Sequence, residues 1–176
     1  MRLPHSRADW LALDQHWTVQ CNRASRTQFW RGFFCRISRL GDGVFWYALM
    51  GGLLLVQGQA ALPAVLHMAA VGAIGLLLYK WLKRATSRPR PFMRSAAIFR
   101  AYEVLDEYSF PSGHTLHAVS LSVVALSYYP ALAGLLLPFT VLVALSRPVL
   151  GLHYPSDVLA GAALGASLAG LSLLLI

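Results

Sequence analysis

The chain has 176 residues, the size of a single domain. Hydrophobic residues make up 57% of it, charged residues only 12%, and the formal net charge is +8. This balance excludes a disordered chain and disfavours a soluble enzyme, in which about 25% of residues are charged, and two cysteines are too few for a disulfide-stapled secreted domain.

The first 40 residues alternate arginines with large apolar side chains and contain no apolar run long enough to span a membrane. We expect this N-terminal segment, residues 1–40, to form one or two amphipathic helices in the membrane interface, ahead of a transmembrane domain over residues 41–176. A sixth span near residues 10–35 is the alternative, although its arginines would be costly at depth. Lipid headgroups account for the basic charge, so no nucleic-acid partner is expected.

The charged residues beyond this segment are clustered, which indicates a membrane protein. Of the 22 Asp, Glu, Lys and Arg residues, ten lie in 1–43 and ten in 80–107, and only Arg147 and Asp157 lie elsewhere. A transmembrane helix needs about 20 predominantly apolar residues to cross the bilayer core. The sequence therefore predicts spans within three stretches that carry no charge, which are 43–79, 108–146 and 158–176.

Breaks within these stretches define the helices. Gln-Gly-Gln at 57–59 precedes Pro63, which suits the first turn of a new helix, and Tyr-Tyr-Pro at 128–130 forms a second break. Small residues at 161–165 offer a face for close helix packing. The predicted fold class is an all-α polytopic transmembrane helix bundle of about five spans. The spans are expected at about 41–57, 62–82, 113–128, 131–147 and 155–174.

Five alternating spans place residues 83–112, residues 147–155 and the N-terminal segment on one membrane face. The short links near 58–61 and 129–130, and the C-terminus, then fall on the other face. Nearly every charge and most of the histidines therefore share one face, which we expect to carry the chemistry.

The segment after the second span is rich in cations. It contains Lys83, Arg84, Arg88, Arg90 and Arg94, and prolines on both sides of Arg90 stiffen the loop. Taken alone, the cluster favours a headgroup-binding or positive-inside loop. Because arginine offers phosphate oxygens a planar fork and lysine a point charge, an anion site is the functional alternative.

The third span opens with Phe-Pro-Ser-Gly-His at 110–114. Ser112 suits the N-cap position, and Gly113 allows a ligand to approach the backbone. The positive end of a helix and its free N–H groups favour a bound anion. His114 is then either an interfacial side chain on a capped helix or part of an anion site.

The last two charged residues flank the start of the final span. Ionisable residues at membrane spans are functional candidates by default, which applies to Arg147 and Asp157. Pro155 suits the first position of the last helix, so His153 lies just before that helix and Asp157 lies in its first turn. A carboxylate on one ring nitrogen would fix the tautomer of His153 and raise the nucleophilicity of the other nitrogen. An ion pair between Arg147 and Asp157 is the alternative.

Together, the three segments resemble the signature of the type 2 phosphatidic acid phosphatase (PAP2) superfamily, in its small bacterial membrane-bound members. Vanadium haloperoxidases and soluble acid phosphatases share these motifs, but five predicted spans argue against both. The family usually has a sixth span near the N-terminus, which this sequence does not show. The motifs are Lys83-x6-Arg90-Pro91, Pro111-Ser112-Gly113-His114 and Ser146-Arg147-x5-His153-x3-Asp157, with a weaker similarity in Ser-Arg-Leu-Gly-Asp-Gly at 38–43.

The resemblance implies a metal-independent lipid phosphatase that hydrolyses a phosphomonoester or pyrophosphate through a phosphohistidine intermediate. His153 would attack phosphorus, Asp157 would orient it, and His114 would protonate the leaving lipid oxygen. We expect no metal and no other cofactor, because several cations around one carboxylate repel a divalent ion. The phosphate-binding residues would be Lys83, Arg90, Ser112, Gly113 and Arg147.

Substrate and location are less constrained. Undecaprenyl pyrophosphate, phosphatidylglycerol phosphate, phosphatidic acid and lipid A phosphates all fit, and the oligomeric state is open. A lipid phosphotransferase using the same histidine and a non-catalytic lipid-phosphate transporter are the alternative functions. Arg84, Arg88 and Arg94 would bind headgroups or a second phosphate. The expected location is the cell inner membrane, with the active site on the extracytoplasmic face, since cations needed for phosphate should be discounted from the positive-inside count.

Overall fold

Eight α-helices make up most of the computed structural model, which describes residues 6–104 and 106–175. Short 3-10 turns join some of them, at 23–26, 58–61 and 130–132, and this described part of the chain contains no β-strand. The predicted all-α class is confirmed. The helices are α1 (Arg7–Asn22), α2 (Gln28–Arg39), α3 (Phe45–Gln57), α4 (Leu62–Thr86), α5 (Pro91–Arg94), α6 (Gly113–Tyr128), α7 (Ala133–Val149) and α8 (Pro155–Leu173).

The breaks between helices follow the predicted signals. Gly58 ends α3 with a φ of +60°. Glycine adopts this conformation at little energetic cost because it has no side chain. Pro63 lies in the first turn of α4, Pro130 starts the turn before α7, and Pro155 is the first residue of α8. Proline is tolerated at these positions because the first N–H groups of a helix have no intrahelical partner.

Helix α6 lies at the centre of the bundle and packs against α4, α7 and α8. A Cβ at Gly161 would lie 2.5 Å from the carbonyl oxygen of Ser112, and one at Gly165 would clash with the Leu116 carbonyl. The predicted small-residue face is therefore confirmed, and it sets α8 directly against the α6 backbone. The surrounding core includes Met68, Val124, Leu136 and Val143, each 0% exposed.

By length and apolar composition, three helical stretches suit a membrane span: Gln28–Thr86, Pro130–Val149 and Pro155–Leu173. The first is long because α2 runs into α3 through a π-helical turn at Leu40–Val44 and α3 is joined to α4 by a 3-10 turn. The 13-residue α3 and 16-residue α6 are short for a span. The chain is a membrane protein with several apolar helices, and the five-span count stays a prediction.

The N-terminal helices pack onto the bundle. Asn22, 1% exposed, donates from Nδ2 to the carbonyl oxygens of Phe99 (3.0 Å) and Val149 (2.9 Å) and accepts from the Phe99 N–H (2.7 Å). Trp10 and Phe29 remain 60% and 72% exposed, and the interfacial position of this segment stays a prediction. The predicted boundary near residue 40 falls inside the continuous α2–α3 stretch, and the first five residues lie outside the described chain.

Helix direction gathers the chemistry at one end of the bundle. The C-terminal turns of α4 and α7 meet the N-termini of α6 and α8 there, which brings the three sequence motifs together. At the opposite end, His67 of α4 bonds through its two ring nitrogens to Tyr128 of α6 and Ser172 of α8.

Candidate active site

Three buried cations form the centre of the site. Lys83 comes from the last turn of α4, Arg90 from the loop before α5, and Arg147 from the last turn of α7. Their exposed fractions are 6%, 2% and 3%. Ser38 accepts from Nη1 of Arg147, whereas the Arg147 Nε has no partner within the described chain. Burying three positive charges close together is costly unless an anion pairs with them, so the cluster favours the binding of an anion.

Asp106 occupies this cation cluster. Its carboxylate accepts from Lys83 Nζ at 2.7 and 2.8 Å and from Arg90 Nη2 at 2.7 Å. Burial raises the pKa of Asp106, but hydrogen bonds and charge from Lys83 and Arg90 outweigh it and hold that pKa below its ordinary value. The side chain is 39% exposed, so solvent reaches it. A carboxylate thus takes up two of the cations that a phosphate would use. Sequence reasoning missed Asp106, because no motif or spacing distinguishes it from the neighbouring Glu103 and Glu107.

His153 lies beside the cations and is 1% exposed. Its Nε2 is 3.4 Å from Nη1 of Arg90, and its Nδ1 is 3.6 Å from Oδ2 of Asp157. Burial and then the positive charges of Arg90, Arg147 and Lys83 hold the pKa of His153 well below its ordinary value. The ring is therefore neutral at physiological pH, which leaves one nitrogen with the lone pair that a nucleophile needs.

Asp157 is fixed by more than the histidine. Its Oδ2 accepts from the Tyr154 N–H at 2.9 Å, and its Oδ1 accepts from Nη1 of Arg88 at 2.6 Å. Arg88 also binds Asp14 of α1 at 2.6 Å and stacks on the Tyr154 ring at 4.2 Å. Arg88 was expected to bind a headgroup or a second phosphate, but in the structure its guanidinium pairs with the carboxylates of Asp14 and Asp157 instead. The alternative of an Arg147–Asp157 pair gives way to the Arg88–Asp157 pair.

Ser112 and Gly113 place the N-terminus of α6 at the site. The predicted N-cap is confirmed, since Ser112 Oγ accepts from the Thr115 N–H at 3.4 Å. The Ser112 N–H donates to the Asp157 carbonyl at 3.0 Å and so ties the second motif to the third. A Cβ at Gly113 would lie 3.2 Å from the Tyr79 ring, a tight contact that would require the ring to shift.

His114 is paired with a residue that the sequence argument did not select. Its Nε2 bonds to Oδ1 of Asp42, which lies in the π-helical turn between α2 and α3. The weak similarity at 38–43 was the available signal, and it includes both Asp42 and Ser38, the partner of Arg147. His117, three residues on, instead bonds to the Gly72 carbonyl of α4 at 3.0 Å.

The described residues contain no group of three or more His, Cys, Asp or Glu side chains that converge as metal ligands. The absence of a metal from the reaction stays a prediction.

We predict that Asp106→Asn strengthens inhibition by inorganic phosphate. An amide competes less well than a carboxylate for Lys83 and Arg90, so the inhibition constant should fall on the order of tenfold, equivalent to about 1.4 kcal/mol. The matched control is Glu107→Gln, an exposed acid on the same loop. If phosphate inhibits both variants and the wild type equally, Asp106 does not compete with phosphate.

Comparisons with known proteins show the family and the fold. The sequence model described as "PAP2 superfamily" matches residues 60–176. A decaprenylphosphoryl-5-phosphoribose phosphatase of Mycobacterium tuberculosis is 37% identical over 121 residues, covering 65% of this chain and 65% of that protein. An undecaprenyl-diphosphatase of Sulfolobus acidocaldarius is 29% identical over 80% of this chain and 68% of the relative. The match therefore spans slightly less than two thirds of the mycobacterial relative, at 65%, and 68% of the archaeal one.

A solved structure with the same fold is a transmembrane PAP2-type phosphatidylglycerolphosphate phosphatase from Bacillus subtilis. It superposes with a TM-score of 0.78 at 26% identity, over 97% of this chain and 87% of that one. The coverage includes the N-terminal helices as well as the region that carries the three motifs.

Proposed function

This chain belongs to the PAP2 superfamily, and we propose that it is a membrane lipid phosphatase that works through a phosphohistidine at His153. The observation that carries the proposal is the setting of that ring. A neutral, buried imidazole presents Nε2 to Arg90, while a carboxylate lies beside Nδ1. A protein that only binds or transports a lipid phosphate needs the cations but has no use for an oriented nucleophile.

The first half-reaction joins the histidine to the phosphoryl group. The lone pair of His153 attacks phosphorus, the bond from phosphorus to the leaving oxygen breaks, and His114 gives that oxygen a proton. Asp157 stabilises the positive charge that develops on the His153 ring. Lys83, Arg90 and Arg147, with Ser112 and the Gly113 backbone, stabilise the charge on the phosphoryl oxygens in transit.

The second half-reaction returns the enzyme to its starting state. His114, now neutral, takes a proton from a water molecule, and the resulting oxygen nucleophile attacks phosphorus as the P–N bond breaks. Inorganic phosphate leaves, and both histidines regain their original protonation.

The substrate class is a lipid with a terminal phosphomonoester or pyrophosphate. The site lies at one end of an apolar bundle, so a lipid can enter sideways from the bilayer with its phosphate at headgroup depth. The relatives named above are a decaprenylphosphoryl-5-phosphoribose phosphatase, an undecaprenyl-diphosphatase and a phosphatidylglycerolphosphate phosphatase, so both polyprenyl and glycerolipid substrates belong in the test.

The test of the proposed function is phosphate release by the purified protein in detergent. The panel contains undecaprenyl pyrophosphate, phosphatidylglycerol phosphate, phosphatidic acid and a lipid A phosphate. Release from at least one of them, above a His153→Ala preparation, supports the proposal. Transfer of the phosphoryl group to a second lipid without release indicates a phosphotransferase, and binding without either reaction indicates a transporter.

We predict that turnover survives EDTA and is inhibited by vanadate. Fixed cations hold the phosphate, so chelation should change the rate by less than about twofold. Vanadate adopts the five-coordinate geometry of the transferring phosphoryl group and should occupy the cation cluster beside His153. Loss of activity in EDTA that magnesium or zinc restores would contradict this assignment of the site.

We also propose that the site faces away from the cytoplasm, in the cell inner membrane. Lys83, Arg90 and Arg147 are buried in one cluster, so phosphate binding accounts for them whichever way they face, and they carry little weight in the positive-inside count. The C-terminus is then cytoplasmic. A C-terminal fluorescent fusion should be bright and an alkaline phosphatase fusion inactive, whereas the reverse pattern would place the site in the cytoplasm.

A further inference from the structure

We propose that Asp42 is a positioning residue that orients His114 and stabilises its protonated form while the lipid oxygen departs. This inference rests on the proposed function. It gives the second histidine of the site a carboxylate of its own, from outside the three motifs.

The Asp42 carboxylate has two hydrogen-bond partners among the described residues, His114 and Tyr102. Oδ1 of Asp42 bonds to Nε2 of His114, and Oδ2 accepts from the Tyr102 hydroxyl at 3.2 Å. The nearby Arg147 donates to Ser38. The described hydrogen bonds therefore pair the Asp42 carboxylate with His114 and Tyr102.

The backbone on either side of Asp42 places its side chain beside the His114 ring. A Cβ at Gly41 would lie 3.2 Å from both Val143 methyl groups and 3.6 Å from Cδ2 of His114, so the backbone at Gly41 approaches the site closely and a side chain there would require Val143 to shift. Gly43 has a φ of +129°, which kinks the helical stretch at the π-helical turn and is strained for other residues. Asp42 lies between these two glycines.

The two histidines of the site are held in related ways. His153 has Asp157 beside Nδ1, four residues along the chain, whereas His114 has Asp42 on Nε2, 72 residues away. With Nε2 of His114 donating to Asp42, Nδ1 is the nitrogen left to exchange a proton. When both nitrogens are protonated, the carboxylate stabilises the imidazolium that donates to the leaving oxygen.

If Asp42 has this role, the loss of activity caused by substituting it should depend on the leaving group of the substrate. An alkyl oxygen, as in a lipid phosphate, needs a proton as it departs, whereas p-nitrophenolate leaves without one. The experiment measures kcat/KM for a series from p-nitrophenyl phosphate through phenyl phosphate to a short-chain lipid phosphate. The value of kcat/KM depends only on the steps up to departure of the leaving group, so the later hydrolysis of the phosphohistidine does not affect it.

For Asp42→Asn we expect a loss within about threefold on p-nitrophenyl phosphate and on the order of 10²-fold on the lipid phosphate, the lower end of general acid catalysis. Asp42→Glu, which keeps a carboxylate, should restore part of the lipid activity. Added to His114→Ala, Asp42→Asn should cost less than about twofold more, since the two residues act as a unit. Glu103→Gln, an exposed acid on the same face, is the matched control and should leave the series unchanged.

An equal loss on every substrate, or no loss, would overturn the inference, because a structural role or a counter-ion role toward Arg147 does not depend on the leaving group. Asp42→Ser undergoes the same test if Asp42→Asn fails to fold. A wild-type protein that releases no phosphate from any lipid would instead refute the proposed function, so the two failures are distinguishable.

Discussion

His153→Ala should reduce lipid phosphate turnover by at least about 10⁴-fold, since removing a covalent nucleophile has effects of this size or larger. His153 is buried before the first turn of α8, beside the polar groups of Arg90 and Asp157, and we expect the variant to fold in detergent. Two measurements are needed: the rate of phosphate release from one lipid phosphate, and a thermal unfolding curve that shows whether the variant is folded.

The control variants separate the nucleophile from other histidines and from its partner. His16→Ala changes an exposed histidine on α1 and should leave turnover unchanged. Asp157→Asn should cost less than His153→Ala, because it removes orientation and charge stabilisation but leaves the attacking nitrogen in place. Substantial phosphate release by folded His153→Ala would exclude the proposed mechanism.

Arg147→Lys should lower kcat/KM by about 10²- to 10³-fold, the size expected for losing one donor that stabilises a transition-state oxyanion. Arg147 is 3% exposed and its guanidinium is held by Ser38, so its donors have fixed directions. Lysine keeps the charge but loses the planar fork that matches phosphate oxygens.

Arg84→Lys is the matched control, because Arg84 is exposed and lies outside the cluster. It should retain wild-type kcat/KM for the same lipid phosphate. If Arg147→Lys also retains it, Arg147 does not bind the transferring phosphoryl group, and the cation cluster needs another explanation.

Local signals explain why the helices could be predicted from sequence. The charge-free stretches, the break at 57–59 and the prolines at 63, 130 and 155 act within a few residues, so they mark where helices begin and end. The pairing of His153 with Asp157 was also local, at four residues' separation on one helix entrance.

The contacts that sequence reasoning missed are long-range. Asp42 and His114 are 72 residues apart, and Arg88 and Asp14 are 74 apart. Such pairs depend on how the helices pack, which neither periodicity nor spacing encodes. The continuity of α2 with α3 was missed for another reason. Glycine commonly ends a helix, but Gly43 instead forms a kink within the continuous helical stretch.

Trapping of the phosphorylated enzyme tests the central claim most directly. The protein is mixed with a lipid substrate labelled with ³²P on its terminal phosphate, quenched in base and digested, and the labelled peptide is sequenced by mass spectrometry. The account predicts a base-stable, acid-labile label on His153 that is absent from His153→Ala. Label on a different residue, or release of phosphate in a single turnover with no labelled protein, would contradict it.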